Sequence, residues 1–193
     1  MRAHWAGMLW ALCLLPFCGL SSAGQAILYQ PDPDSPLGER NPDAPAGIDQ
    51  YAFLIGDWDA EVTLQRDGQD PLVYRAKWHN HWIANGNMVM QEWRGPFSTG
   101  IELRSYAAEE DAWNGRNIYF PSPATWYANT ARYADNEMVV TTIRTNASGD
   151  ETITREIYFA ITASSFRIRT ERSGDAGRTW SAGRYSLIAR RAE

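Results

Sequence analysis

The stretch KWHNHWIANGNMVMQEW, Lys77 to Trp93, places an Asn-Gly dipeptide between two runs of strand-forming residues. Asn85-Gly86 is typical of a two-residue hairpin turn, because both residue types tolerate positive φ angles. Counting outward from this turn pairs Ile83 with Met88 and continues, one residue at a time, to Lys77 opposite Arg94. The stretch therefore predicts an antiparallel hairpin with a fixed register.

The two faces of this hairpin carry different chemistry, because side chains alternate from one side of a strand to the other. The first face is mainly aromatic and apolar, whereas the second holds two of the three histidines of the chain. The first face holds Trp78, Asn80, Trp82, Val89, Gln91 and Trp93, and the second holds Lys77, His79, His81, Met88, Met90, Glu92 and Arg94. The face that points inward decides whether the histidines can form a buried site.

His79, His81 and Glu92 are candidate metal ligands or ligand-binding groups, since two histidines and a carboxylate on one face can form a facial metal triad. His81 beside Met90 would also suit haem. The alternative is a cross-strand ion pair between His79 and Glu92, worth roughly 0.2 to 1 kcal/mol. We expect the ion pair, and therefore neither a resident metal nor another cofactor.

The chain from Tyr51 onward has the pattern of an all-β domain. Short runs of Val, Ile, Thr, Tyr, Phe and Trp alternate with clusters of Gly, Asn, Asp and Pro. Asp67-Gly68, Asn114-Gly115 and the stretch from Thr145 to Glu151 are predicted turns. About nine strands joined by hairpins form an antiparallel up-and-down meander, and closure removes its exposed edges. We predict a single antiparallel β-barrel over residues 51–193.

The first 50 residues differ from the rest of the chain. Residues 1–26 combine an early arginine, an apolar stretch and small residues, which is typical of a secretory signal peptide cleaved after Ala23 or Ala26. Residues 27–50 hold five prolines among aspartates and are predicted to form a flexible leader. Both cysteines lie within the signal, so no disulfide is expected in the exported protein. We predict a secreted or periplasmic protein.

The charge of the chain argues against nucleic-acid partners. The chain has 18 Lys and Arg residues and 23 Asp and Glu residues, so it is acidic. Removal of residues 1–26 would take away one arginine and no acidic residue. Proteins that bind nucleic acids present clustered basic residues instead. After residue 26 no apolar run is long enough to span a bilayer. We therefore predict neither nucleic-acid binding nor stable membrane insertion.

The segment FLIGDW, Phe53 to Trp58, resembles the Gly-x-Trp that opens the first strand of lipocalin-like, or calycin, barrels. The resemblance implies structural roles for Gly56 and Trp58 and a short helical turn over Ile48 to Leu54 that closes one end of the barrel. It also implies that the tryptophan packs against an arginine of the last strand, for which the candidates are Arg184 and Arg190. The chain is similar in type to uncharacterised secreted bacterial proteins of this kind.

A second motif, SGDAGRTW, Ser173 to Trp180, resembles the Asp-box of sialidases and other secreted β proteins. The resemblance implies a structural role, in which polar side chains hydrogen-bond a turn and a tryptophan packs beneath it. The residues concerned are Ser173, Asp175, Gly177 and Trp180. Because the motif occurs once, it does not indicate the repeated blades of a propeller. We expect a hairpin between about Phe166 and Ile188.

The interior of the predicted barrel has its own candidates. Arg155 interrupts the apolar pattern of ITREIYFAI, Ile153 to Ile161, and is a candidate interior cation for a carboxylate. The aromatic loop that contains Trp126 and Tyr127 is predicted to lie across the barrel mouth, over a cavity of roughly 300 Å³ or more. The candidate ligand-binding residues are therefore Arg155, Glu92, His79, His81, Trp126 and Tyr127.

Three classes of function remain compatible with the sequence. It contains no nucleophile motif and no phosphate-binding loop. The leading hypothesis is an exported, non-catalytic barrel that binds a small apolar or amphipathic molecule. The alternatives are an enzyme acting on a small hydrophobic or sugar-like substrate in the cavity, with or without metal or haem, and a structural or partner-binding barrel with a filled interior.

Overall fold

The computed structural model describes residues 36–121 and 125–193, which form ten β-strands and one short 3₁₀ helix, Ala46–Leu54. The predicted signal peptide and the first part of the leader lie outside these ranges. Within them, no helix is long and apolar enough to cross a membrane. The strands are β1 (Gly56–Arg66), β2 (Gln69–Ile83), β3 (Met88–Arg94), β4 (Thr99–Ala107), β5 (Ala112–Phe120), β6 (Tyr127–Ala134), β7 (Glu137–Thr145), β8 (Glu151–Phe159), β9 (Ser165–Ser173) and β10 (Ser181–Arg191).

The strands form one closed barrel. Each pairs antiparallel with its neighbours in sequence, and β1 also pairs with β10. Closure leaves no unpaired sheet edge. The predicted all-β, single antiparallel up-and-down barrel is confirmed, with ten strands where about nine were expected. The predicted turn at Asn114-Gly115 is wrong, because β5 runs through both residues.

The β2–β3 hairpin has the register that its turn predicts. Ile83 pairs with Met88, and the pairing continues without a shift to Lys77 opposite Arg94. Asn85 and Gly86 have φ angles of 54° and 75°, as expected for a primed turn. The face with Trp78 and Gln91 is buried and points inward, so the histidine face points outward.

The 3₁₀ helix closes one end of the barrel. Its Ile48, Tyr51 and Leu54 are buried, and the Trp58 Nε1 donates a hydrogen bond to the Leu54 carbonyl oxygen at 2.7 Å. The Tyr51 ring meets the Trp113 ring edge-on, with 4.8 Å between centroids. We call this end, with its inward-facing aromatic residues, the closed half. The predicted helical turn is present and begins two residues earlier than expected.

An arginine of the last strand does pack on Trp58, but it is Arg191. Its guanidinium carbon lies 4.1 Å from the Trp58 ring centroid, and its Nη1 donates to the Ile55 carbonyl oxygen. Both sequence candidates, Arg184 and Arg190, are wrong. Arg191 lies directly opposite Trp58 in the β1–β10 register, whereas Arg190 is opposite Asp59. Arg184 lies towards the other end of β10, exposed near Asp67.

The described part of the predicted leader packs against the closed half. Asn41 and Ala44 are buried, and the Asn41 backbone N–H donates to the Gly86 carbonyl oxygen at 3.1 Å. A Cβ atom on Gly86 would lie 2.1 Å from the Asn41 nitrogen. Glycine is therefore required at this turn both for its φ angle and for the close approach of the leader.

The segment Ser173 to Trp180 connects β9 and β10 at the opposite end of the barrel. The Ser173 Oγ accepts a hydrogen bond from the Gly177 N–H at 2.9 Å, and the Asp175 carboxylate accepts from the Thr179 N–H at 2.9 Å. The Trp180 Nε1 donates to the Gly177 carbonyl oxygen at 3.0 Å. These bonds hold the turn of the expected hairpin. Hydrogen bonds to the Asp175 carboxylate, first of all from the Thr179 hydroxyl at 2.6 Å, lower the pKa of Asp175 to about 2.

Candidate functional site

The barrel interior contains a cavity of about 250 Å³ in the half away from the 3₁₀ helix, which we call the open half. This volume is smaller than the roughly 300 Å³ expected from the sequence, which is about the lower bound of the usual range for ligand sites. Large rings fill the closed half, whereas shorter and polar side chains point inward in the open half. The space is thus a consequence of side-chain size along the same strands.

One wall of the cavity is apolar. It comes from β1, β10 and β9, which are contiguous in the barrel, and from parts of β2 and β7. Its surface offers branched aliphatic groups and aromatic rings, and it has the chemistry to pack against a hydrocarbon group. The residues are Val62, Leu64, Tyr74, Trp78, Val140, Ile168 and Leu187.

The facing wall is polar and is organised around a buried ion pair. The Arg104 Nη2 lies 3.0 Å from the Glu102 Oε2 and donates to the Gln91 Oε1 at 2.6 Å. The Gln91 Nε2 in turn donates to the Tyr119 hydroxyl at 2.7 Å, and the Asn129 Nδ2 donates to the Glu102 Oε1 at 2.8 Å. Strands β3 to β6 are therefore joined by one chain of interior side-chain hydrogen bonds.

Gly115 makes room for this network. A Cβ atom there would lie 2.0 Å from the Asn129 Oδ1 and 2.9 Å from the Glu102 Oε1. Any larger residue would displace the amide that holds the Glu102 carboxylate. This close approach explains a glycine in the middle of β5, where the sequence predicted a turn.

Glu156 supplies a second interior carboxyl. It lines the cavity from β8 and is half-buried. Burial raises the pKa of Glu156, Tyr185 opposes that rise through a hydrogen bond, and the charge of Glu102 adds to it. Burial also raises the phenol pKa values of Tyr119, Tyr158 and Tyr185 well above their usual value, so these hydroxyls remain neutral donors.

Several buried polar atoms of the barrel have no hydrogen-bond partner within the described residues. They include the Tyr51 hydroxyl, both side-chain polar atoms of Asn80, the Nε and Nη1 of Arg104, and the Trp78 Nε1. Trp78 alone among these four residues lines the cavity, and it is only 4% exposed. Its nitrogen has almost no accessible surface, so it is part of the buried wall and not a group that the cavity exposes.

The histidine face of the β2–β3 hairpin lies on the outer wall. The His79 Nδ1 lies 2.5 Å from the Asp57 Oδ1, and Arg94 holds both oxygens of Glu92 at 2.8 and 2.9 Å. The predicted His79–Glu92 ion pair is therefore wrong. His79 contacts Asp57 instead, and Glu92 contacts Arg94. His81 also points away from the cavity. Within the described ranges, no three His, Cys, Asp or Glu side chains are arranged to hold a metal ion.

The predicted inward orientation of Arg155 is wrong. Its guanidinium carbon lies 3.7 Å from the ring centroid of Trp180, and its neighbours Glu156 and Tyr158 line the cavity. The sequence prediction places the apolar residues of β8 on the inner face. The interior is polar at this strand, so Ile153 and Ile157 face the outer wall instead.

The two aromatic candidates lie at the mouth of the open half. Tyr127 begins β6, and the guanidinium carbon of Arg144, a cavity residue, lies 4.5 Å from its ring centroid. Trp126 is 50% exposed. Both positions are compatible with contact to an entering molecule, and their ligand-binding role remains a prediction.

The polar wall itself was missed by the sequence interpretation, although a signal was present. Trp93 and Gln91 belong to the aromatic face of the hairpin, and in the β3–β4 register they lie opposite Gly100 and Glu102. Carrying the face assignment across one more strand pair would have placed Glu102 and Arg104 inside. Extending the face assignment to the remaining strands would have required the register of each further strand pair, and no Asn-Gly turn fixes those registers.

A second depression, of about 480 Å³, lies on the outer wall across β4 to β7. It is lined by residues such as Leu103, Asn114 and Thr130, which also contact solvent. No buried ion pair or unpartnered buried donor within the described residues faces it. The interior cavity therefore has the stronger claim to be a specific site.

The fold resembles that of a protein of unknown function from the DUF3598 family of Nostoc punctiforme, at 15% sequence identity and a TM-score of 0.50. The likeness covers 73% of this chain and 48% of that protein, so the chain spans about half its length. At this identity the likeness shows the fold alone.

Two further structures match more weakly, and their TM-scores are too low to support an argument. A redesigned β-barrel has 9% identity and a TM-score of 0.34, covering 75% of this chain and 96% of its own. EF1p2_mFAP2b bound to DFHBI has 12% identity and a TM-score of 0.33, covering 76% and 100%. No family model matches the sequence, and no curated protein matches it.

Proposed function

We propose that this protein is an exported, lipocalin-like barrel that binds a small amphipathic molecule in the cavity of the open half. The observation that carries the proposal is the division of the cavity into an apolar wall and a polar wall. A molecule with a hydrocarbon part and a polar group would bury the first against Val62 and Leu187. It would present the second to Asn129 and Glu156.

The closed half supports the lipocalin-like part of the proposal. The stacking of Arg191 on Trp58 and the 3₁₀ helix beneath them are features that the Gly-x-Trp resemblance implies. Export rests on the signal-like composition of residues 1–26. Tyr127 and Trp126, at the mouth, are the sequence candidates that remain placed to meet a ligand.

Binding in the cavity can be tested by substituting either of two adjacent valines. Val140 points into the cavity and Val139 points to the outer wall. We expect Val140→Phe to fill the cavity and to weaken binding of 2-phenylethanol at least tenfold, since one methylene-sized change in a pocket is already worth roughly 1 to 3 kcal/mol. We expect Val139→Phe to leave the affinity within about twofold. Calorimetry and the fluorescence of Trp78 and Trp93 would report binding.

Folding of both variants is checked by circular dichroism and thermal unfolding, because a larger core residue can cost about 1 to 3 kcal/mol. Leu187→Phe provides a second variant that fills the cavity from another strand. Equal binding by the parent, Val140→Phe and Leu187→Phe would contradict the proposal and favour a structural barrel.

A further inference from the structure

Within the described residues, the barrel interior holds two carboxyl groups, those of Glu102 and Glu156, and one buried arginine. Glu102 has a cationic partner in Arg104, and both are almost completely buried. Glu156 lines the same cavity, yet among the described residues it forms no ion pair with an arginine or lysine. Arg144 also lines the cavity, but it is exposed and its guanidinium lies over Tyr127. The deep part of the cavity is therefore left with one uncompensated carboxyl group.

The walls around this carboxyl group are rich in aromatic rings. Six rings line the cavity, from Tyr74, Trp78, Trp93, Tyr119, Tyr158 and Tyr185. Aromatic faces attract cations, by about 0.5 to 2 kcal/mol for each well-placed pair, and most strongly where water is excluded. A carboxyl group within an aromatic wall favours an organic cation over a neutral or anionic molecule.

We propose that the cavity binds a small protonated amine, with the ammonium group at Glu156 and the apolar part against the β1–β10 wall. This inference rests on the proposed function, since it names the chemical class of the ligand for the same cavity. The carboxylate of Glu156 then completes its charge balance with the ligand rather than with the protein.

Protonation of Glu156 is coupled to this binding. The groups that influence it come from β4, β5, β7, β10, the 3₁₀ helix and its own strand: Glu102, Arg104, Tyr119, Arg144, Tyr185, Tyr51 and Tyr158. Burial raises the pKa of Glu156 in the empty cavity. An ammonium ion beside Glu156 favours the carboxylate form, so binding of the amine lowers this pKa.

Three matched probes separate the amine from its neutral and anionic counterparts: 2-amino-1-phenylethanol, 1-phenyl-1,2-ethanediol and mandelate. All share a phenyl ring and a hydroxyl group and differ in the amine, hydroxyl or carboxylate beside them. At pH 7.5 we expect calorimetry to give a Kd for the amine at least tenfold below that of the diol, with mandelate weaker than both.

Glu156→Gln is the decisive variant, and Glu151→Gln, at the exposed start of the same strand, is its matched control. We expect Glu156→Gln to weaken amine binding at least tenfold and to leave diol binding within about threefold, whereas Glu151→Gln changes neither. Equal or tighter binding of the diol or mandelate by the parent, or unchanged amine affinity in Glu156→Gln, would overturn the inference.

The two proposals fail in different ways. If 2-phenylethanol binds and Val140→Phe blocks it, but the amine has no advantage over the diol, the cavity is a ligand site for neutral molecules and the amine inference is wrong. If neither 2-phenylethanol nor any of the three probes binds the parent protein, the proposed function is contradicted and the amine inference falls with it.

Discussion

The closed and open halves of the barrel use the same strands for opposite purposes. In the closed half, Trp58, Trp113 and Phe166 are at most 1% exposed, and their rings contact one another or the 3₁₀ helix. In the open half, the inward positions of the same sheet hold Glu102, Asn129 and Glu156 around an empty space. The size and polarity of inward side chains decide which half becomes core and which becomes a candidate site.

Because of this difference, the two halves are expected to contribute differently to stability and to ligand binding. In the closed half, the inward side chains are mainly rings, and the Trp58 Nε1 donates a hydrogen bond to the Leu54 carbonyl oxygen. The open half holds a carboxyl group whose pKa is raised by burial, so its ionisation costs free energy in the folded protein. We therefore expect substitutions in the closed half to affect mainly folding, and those in the open half to affect mainly binding.

The largest expected effect is that of Trp58→Ala. It removes a fully buried ring that contacts Phe166 and Arg191, and we expect the free energy of unfolding to fall by about 3 to 5 kcal/mol. The control is Trp180→Ala at the open end, where a stacked arginine and one hydrogen bond are lost and about 1 to 2 kcal/mol is expected. Urea unfolding measures both, and equal losses would break the distinction between the two halves.

A smaller and pH-dependent effect is expected for Glu156→Gln in the absence of ligand. Because the pKa of Glu156 is raised in the folded protein, its ionisation opposes folding, and the stability of the parent falls as pH rises through that pKa. Glutamine has no such dependence. We expect Glu156→Gln to melt a few degrees above the parent at pH 8 and to lose this advantage near pH 4. A parent that is relatively more stable at pH 8 would contradict the assignment.

The smallest effect is expected on the outer wall of the closed half. A variant with both His79→Ala and His81→Ala loses an exposed contact with Asp57, and such contacts are worth about 0 to 1 kcal/mol. We expect unchanged affinity for 2-phenylethanol and equal metal content in parent and variant by elemental analysis. Metal bound at one equivalent by the parent and lost in the variant would place a second site on this wall.

The parts of the structure that were predictable depend on short-range rules. Asn85-Gly86 fixes the register of the β2–β3 hairpin, and the Gly-x-Trp resemblance implied the helical turn and an arginine on Trp58. The identity of Arg191 was missed by one residue, because the pairing of β1 with β10 joins segments more than a hundred residues apart. Local sequence does not specify that register.

The interior was harder to predict because hydrophobicity was used to choose the inner face. On β8, the apolar Ile153 and Ile157 lie on the outer wall, and Glu156 and Tyr158 lie inside. The rule that apolar residues point inward holds for the closed half, where Trp58 and Phe166 obey it. It fails in the open half, where the interior is partly polar, as expected for a cavity that binds an amphipathic molecule.

The most direct measurement of the central claim is a crystal structure of the protein with 2-phenylethanol bound. The proposed function predicts density inside the open half, with the phenyl ring against Val62 and Leu187 and the hydroxyl group within hydrogen-bonding distance of Glu156 or Asn129. Density on the outer wall between β4 and β7, with an interior cavity that contains only water, would contradict it.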